Sequence, residues 1–198
     1  MLKTQTYFDH IYATANDPWG YEQHWYEARK RQICLSVLLQ PQYQNALEVG
    51  CSNGVFSEAL GQRCSQLLCL DGHPKAVNLA QNRLKNYPHI QVRQAWVPAE
   101  LPQQQFDLVV IGEILYYLDL EQIQTFIAWL NTHLSATGTL LCCHWRHPIE
   151  GFTLDGNQVH QLLASLALQH YLSLQDPDFL VDVWTKSSLS LAAQEGIL

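Results

Sequence analysis

Leu47-Glu48-Val49-Gly50-Cys51-Ser52-Asn53-Gly54 is the stretch on which the fold of this 198-residue chain turns. The apolar run Ala46–Val49 reads as a buried strand, and Val55–Gly61 reads as the helix that follows it. A glycine between them allows a tight turn and lets a ligand approach without a Cβ in the way. The spacing is not the G-x-G-x-x-G that aims a helix N-terminus at a pyrophosphate. It is acid-x-Gly-x-Ser-x-Gly, and Glu48 is expected inside the ligand cleft. A carboxylate there repels a pyrophosphate and suits an ammonium or a sulfonium.

The alternation continues outward. Strands are expected at Gln66–Leu70, Ile90–Gln94, Phe106–Ile111, Thr139–His144, Leu168–Leu174 and Leu180–Thr185. Helices are expected at Pro74–Lys85, Leu120–Leu134 and near Gln158–Ser165; Ile123, Phe126, Ile127, Leu130 and Leu134 form one apolar face. Gly138 is expected as a turn into the fifth strand. Upstream, an aromatic-rich stretch, Tyr7 to Tyr26, precedes a helix from about Trp25 to Gln40 that Pro41 stops. Residues from about Ser187 read as an unanchored tail. Strands alternating with helices predict a mostly parallel, seven-stranded sheet with helices on both faces, an α/β three-layer sandwich. Ligands of such sheets sit at the carboxyl ends of the strands. The expected organisation is an N-terminal lid and helix over 1–40, a ligand-binding domain over 41–186 and a tail over 187–198.

Composition narrows the partners. Apolar residues make up 47% and charged ones 15%, as in a globular domain, and no apolar run is long enough to span a bilayer. The first six residues carry no apolar signal core, so a cytoplasmic location is expected. A net charge of -7 argues against a nucleic-acid track or an anionic membrane and for a neutral or cationic small molecule. The six cysteines contain no C-x-x-C pair and read as reduced, buried residues. His144-x-x-His147 beside Cys143 lacks a further ligand set, so no metal is expected.

Four further strand ends carry candidates. Asp71 lies about 20 residues beyond the glycine loop, where an acid accepts the hydrogen bonds of a ribose diol. Trp96, in Ala95-Trp96-Val97, offers a flat face to a base. Gly112-Glu113-Ile114-Leu115-Tyr116-Tyr117 and His144-Trp145-Arg146-His147 follow the fourth and fifth strands. A charged residue such as Glu113 at the end of a buried strand is costly without a task. Arg29, Lys30 and Arg31 read as a solvated helix face.

Taken in order over roughly residues 40 to 150, these loops resemble the class I S-adenosylmethionine-dependent methyltransferases, which implies a Rossmann-like sandwich. Within that class the chain is similar to the nodulation N-methyltransferase family, which methylates the amino group of a deacetylated chitooligosaccharide. Asp17-Pro18-Trp19, Trp25-Tyr26-Glu27, Glu48-Val49-Gly50-Cys51-Ser52, Glu113-Ile114-Leu115-Tyr116-Tyr117-Leu118 and His144-Trp145 carry that similarity. The resemblance implies S-adenosyl-L-methionine as cofactor. Glu48 would orient the loop of Gly50, Cys51, Ser52 and Gly54, and the two glycines would admit the amino-acid part. Asp71 and Gly72 would meet the ribose side, Trp96 and Val97 would border the adenine, and Gly112 would lie near the methyl. Tyr12, Trp19 and Tyr26 would close over the cofactor as a helical lid. The chain departs from the class at Ser52, Gly72 and Trp96.

Methyl transfer is an in-line displacement for which the protein supplies alignment and electrostatics. An amine must be neutral to attack, so a carboxylate or imidazole near it is useful. Glu113, Tyr117 and His144 are the candidates for that neighbourhood, with His144 expected to point at the acceptor. The expected function is methylation of a small acceptor, an amine or amino sugar being favoured, by a monomer or homodimer. The competing readings are a non-catalytic cofactor-binding module and a nicotinamide oxidoreductase, the latter disfavoured by the missing G-x-G-x-x-G.

Overall fold

In the computed structural model, which describes residues 2–198, two helices precede the sheet: α1 (Leu2–Thr14) and α2 (Trp25–Ser36). Met1 of the expected lid segment lies outside the described residues. There follow β1 (Ala46–Val49), α3 (Val55–Gly61), β2 (Leu67–Asp71), α4 (Pro74–Leu84), β3 (Ile90–Gln94) and β4 (Phe106–Gly112). A single 3-10 turn, Leu115–Tyr117, leads to α5 (Leu120–His133), β5 (Leu134–Trp145), α6 (Gly156–Leu163), β6 (Gln169–Gln175), β7 (Phe179–Thr185) and α7 (Leu191–Gln194).

The seven strands form one sheet in the order β3-β2-β1-β4-β5-β7-β6. β1 to β5 run parallel, and β7 pairs antiparallel with both β5 and β6. β1 is buried along its whole length because it lies between two strands and under helices on both faces. One core, with Leu47, Val109, Phe126 and Leu163, lies against α5 and α6; the other, with Cys34, Leu60, Leu108 and Val181, lies against α2, α3 and α4. Strand order reverses between β1 and β4, and that switch point opens the crevice at their carboxyl ends.

Three local expectations are corrected. α2 ends at Ser36 and not near Gln40, because the Arg63 guanidinium takes up the carbonyls of Leu35, Gln40 and Pro41 and rewards an open loop. β5 begins at Leu134, directly after α5, so Gly138 lies inside a strand and is not a turn. The Lys186 ammonium donates to the carbonyls of Leu134 and Asn131, satisfying the end of α5 where a loop was expected. The tail is not unanchored: Ser190 caps α7, the Leu191 amide donates to the Tyr171 hydroxyl at 2.9 Å, and Gln40 donates to Gln194 at 3.1 Å. No helix among the described residues is long and apolar enough to cross a membrane.

Candidate active site

A cavity of about 560 Å³ lies across the carboxyl ends of the parallel strands, with α1 and the 19–30 segment forming its outer wall. Its inner wall is built from Gly50 and Ser52 after β1, Asp71 and Gly72 after β2, Trp96 and Val97 after β3, Gly112 and Glu113 after β4, and Trp145 at the end of β5. Five strand ends separated by up to about a hundred residues in the chain thus meet in one space.

The glycine loop explains its own residue types. Gly50 has φ +87, and a Cβ there would lie 2.3 Å from Ile114 Cγ2 and 2.7 Å from the Gly112 carbonyl oxygen. Ser52 also adopts a left-handed φ of 48, the conformation that favours glycine at this position. Its tolerance is local: the Ser52 amide donates to Asp71 Oδ2 at 2.9 Å, and its hydroxyl pairs with the Tyr12 hydroxyl at 2.8 Å. Asp71 also accepts the His73 amide at 2.9 Å. Burial pushes the Asp71 carboxyl up from its usual range, and the two amides oppose that shift.

Gly72 and Trp96, two departures from the class pattern, explain each other. A Cβ at Gly72 would come within 2.8 Å of the Trp96 indole. The indole therefore fills the space that a side chain at residue 72 would otherwise occupy. At Gly112, by contrast, a Cβ would meet nothing within 4 Å, so this strand end opens onto free volume.

Glu113 has φ 59, strained for a residue with a Cβ, and is tied down by its neighbours. Its amide donates to the Cys143 carbonyl at 2.9 Å. Its Oε1 accepts from the Lys30 ammonium at 2.7 Å, and its Oε2 accepts from the Tyr116 hydroxyl and the Trp145 amide, each at 2.7 Å. Lys30 also donates to Glu27 at 3.0 Å. Burial alone would lower the Lys30 pKa, but the carboxylates of Glu113 and Glu27 outweigh it and hold the ammonium well above the usual lysine range. Burial raises the Glu27 carboxyl, against the pull of Lys30.

α1 closes the outer wall. Tyr12 is 2% exposed and stacks on His73 with ring centroids 4.6 Å apart. Asp9 pairs with His73 at 3.2 Å, and the Lys75 ammonium donates to the Tyr12 carbonyl at 2.5 Å. Phe8 meets Tyr117 at 4.9 Å, and Trp19 meets Tyr12 at 5.6 Å. Burial holds the Tyr117 phenol above its usual range, so it stays neutral.

Most of the expected site residues therefore share one cavity wall: Tyr12, Trp19, Tyr26, Gly50, Ser52, Asp71, Gly72, Trp96, Val97, Gly112, Glu113 and Tyr117. Glu48 is not on the wall of this cavity and lines instead, with Cys51, a smaller pocket of about 70 Å³ that shares Gly50, Ser52 and Glu113 with it. It is 3% exposed beneath the loop and accepts from the Cys69 thiol at 3.4 Å. Burial pushes its carboxyl up to about 7. Gly54 lies at the start of α3 and lines neither space. His144 is fully buried and faces α6, where it meets His160, because strand alternation turns it away from the cavity that its neighbour Trp145 lines. Its expected direction toward the acceptor is thus corrected.

Lys30, expected on a solvated face, is 7% exposed and central to the site. Sequence reasoning also missed Glu27 and His73. The signal for the first two was present: Glu27 and Lys30 precede Cys34 by seven and four residues and share its buried helix face. Two polar atoms on the wall, Tyr26 Oη and His73 Nδ1, have no hydrogen-bond partner among the described residues. Buried polar atoms of this kind fit a cavity that receives a polar ligand.

Comparison with known proteins bears on the family and the fold. The family model for nodulation protein S (NodS) matches residues 10–151. Nodulation protein S of Sinorhizobium fredii is 34% identical over 154 residues, covering 75% of this chain and 66% of that protein. The Rhizobium tropici protein of the same name is 33% identical over 147 residues, covering 67% of this chain and 60% of its own length. The chain thus spans slightly under two thirds of these relatives. The crystal structure of N-methyltransferase NodS from Bradyrhizobium japonicum WM9, in complex with S-adenosyl-L-homocysteine, superposes with a TM-score of 0.83. It is 27% identical and covers 92% of this chain and 97% of that one.

Proposed function

The chain belongs to the nodulation protein S family, and from that premise we propose that it transfers the methyl group of S-adenosylmethionine to the amino group of a small acceptor. The observation that carries the acceptor class is the charge on the cavity wall. Glu27, Asp71, Glu113 and Glu150 line the cavity together with the Lys30 ammonium, which Glu27 and Glu113 already neutralise. The remaining field is negative, and it favours a sulfonium cofactor and an ammonium acceptor over an anionic substrate.

The residues present fit the cofactor. Gly50 and Ser52 would hold the amino-acid part, Asp71 the ribose hydroxyls, and Trp96 and Val97 the adenine. Gly112 leaves open volume beside them. Tyr12, fixed to Ser52, would keep water from the ligand. When bound there, S-adenosylmethionine supplies an activated methyl. Glu113 has about four lone-pair sites, of which three donors use three, so Oε1 retains one for an N–H of the acceptor. That contact orients the nitrogen, and the neighbouring carboxylates favour its approach as an ammonium. Glu27, whose carboxyl burial has raised, is a group to which a proton can pass once the nitrogen is docked. Tyr117, a neutral phenol at the same wall, would offer its ring or hydroxyl to the acceptor.

Calorimetry with S-adenosylhomocysteine, followed by mass spectrometry of methyl transfer to matched amines, phenols and amino sugars, tests the proposal. Saturable binding with products confined to amines is expected. No binding at millimolar ligand, or transfer to phenols in preference, would overturn it.

A further inference from the structure

On the far side of β5 from the cavity, four polar side chains form a continuous chain that methyl transfer does not itself require. The Leu115 amide donates to His144 Nε2 at 3.4 Å. His144 Nδ1 lies 3.0 Å from His160 Nε2, and His160 Nδ1 lies 2.5 Å from Asp182 Oδ2. His170 Nε2 lies 2.7 Å from Asp182 Oδ1. His144, His160 and Asp182 are buried, whereas the His170 side chain is half exposed.

The donors and acceptors leave one consistent assignment. An amide N–H points at His144 Nε2, so that nitrogen is bare and the ring proton sits on Nδ1. His144 Nδ1–H then donates to His160 Nε2, which is bare in turn. His160 therefore carries its proton on Nδ1 and donates it to the Asp182 carboxylate. Burial opposes a charge on Asp182, but hydrogen bonds from His160, Ser173 and His170 outweigh it and keep the carboxyl below its usual range. The carboxylate thus polarises two neutral imidazoles toward one backbone amide.

That amide belongs to the turn that carries the acceptor wall. Leu115 sits between Glu113 and Tyr117, and Glu113 holds a left-handed φ that needs support. On the cavity side the segment is held by Lys30 and the Trp145 amide; on the opposite side the only side-chain acceptor for its amides among the described residues is His144. Packing alone does not ask for such a chain. The rings packed on it are aromatic, Tyr116 against His144 and Trp184 against His160, and an apolar replacement for a buried polar network of this kind is often no less stable.

We infer that His144, His160 and Asp182 form a tautomer-setting relay, anchored at His170, that positions the Glu113–Tyr117 segment for the acceptor; His144 is a positioning residue and not the base. The hydrogen-bond logic stands by itself, and only its consequence for turnover rests on the methyltransferase reading.

Long-range 1H–15N spectra of histidine-labelled protein at neutral pH read the tautomers without any substitution. His144 and His160 are expected as neutral Nδ1–H forms. An Nε2–H or doubly protonated His144 would overturn the relay even if the protein binds S-adenosylhomocysteine normally. In the Asp182→Asn variant, hydrogen exchange of residues 113–118 is expected to quicken roughly fivefold, the effect of one weakened hydrogen bond. Exchange at 46–54 and affinity for S-adenosylhomocysteine should hold, while turnover on the best amine falls. Unchanged exchange at 113–118, or equal quickening at 46–54, would refute the positioning role. Failure to bind S-adenosylhomocysteine with the tautomers as expected would sink the methyltransferase reading and leave the relay intact. Should Asp182→Asn not fold, the unsubstituted protein's spectrum still decides.

Discussion

Replacing Gly112 by alanine is expected to leave the protein folded while weakening its hold on S-adenosylhomocysteine. A Cβ at this strand end meets no atom within 4 Å, and its backbone is outside the left-handed region. In the free protein the added methyl costs nothing in packing and removes freedom from the unfolded chain, a gain of about 0.4–1 kcal/mol. With ligand present, the same methyl occupies volume that the cofactor needs. Inserting one methyl into a filled space costs about 1–3 kcal/mol, so affinity should fall roughly 5- to 150-fold. Gly50→Ala is the matched control with the opposite pattern. Its Cβ collides with Ile114 Cγ2 at 2.3 Å and its φ is +87, so instability of about 2–5 kcal/mol is expected before any ligand is added. Urea unfolding and calorimetry on both variants separate the two effects. Unchanged affinity in a folded Gly112→Ala protein would show that the ligand does not run past the end of β4.

Glu48→Gln should flatten the pH dependence of stability. Its folded pKa of about 7 lies above the unfolded value near 4.5, so its contribution is full below about 4.5 and is lost as pH rises through 7. The variant should therefore gain on the native protein by up to about 3 kcal/mol at pH 8 and not at pH 4, as urea midpoints at the two pH values would show; parallel curves contradict the buried placement. Tyr12→Phe removes the bond to Ser52 and should weaken S-adenosylhomocysteine binding by roughly 2- to 10-fold in calorimetry, with equal affinity arguing against a closing role for α1. Asp71→Asn removes the charge, and because the Ser52 and His73 amides use different carboxylate oxygens, it also turns an NH2 group toward one of them. A several-fold loss of cofactor affinity together with a lower melting temperature is expected, and an intact affinity would mean that the ribose lies elsewhere.

The sheet was readable because a parallel strand buried on both faces writes a nearly continuous apolar run, interrupted by Glu48 alone in Ala46–Val49 and by Asp107 alone in Phe106–Ile111. Strand ends then named most of the cavity wall. What escaped reading was set by contacts distant in sequence. Lys30 looks like a surface charge among Arg29 and Arg31 until Glu113, 83 residues away, is placed against it. The motif position of Glu48 points to the cleft, but the pleat turns its side chain under the loop, toward Cys69 and the smaller pocket. His144 follows the same rule: one residue's shift along β5 changes the face, and only Trp145 reaches the cavity. Helix ends moved where Arg63 and Lys186, each remote in sequence, took up free carbonyls.

The place of β7 bears on how the protein is made. The strand that flanks β5 is the last in the chain, so the edge of β5, with the apolar run Leu140–Cys143, stays unpaired until residues 179–185 have left the ribosome. An open apolar edge is a template for pairing with other nascent chains. Synthesis that stalls or terminates before β7 should therefore yield aggregates and not a smaller working domain, even though the glycine loop, Asp71 and Glu113 would all have been translated by then.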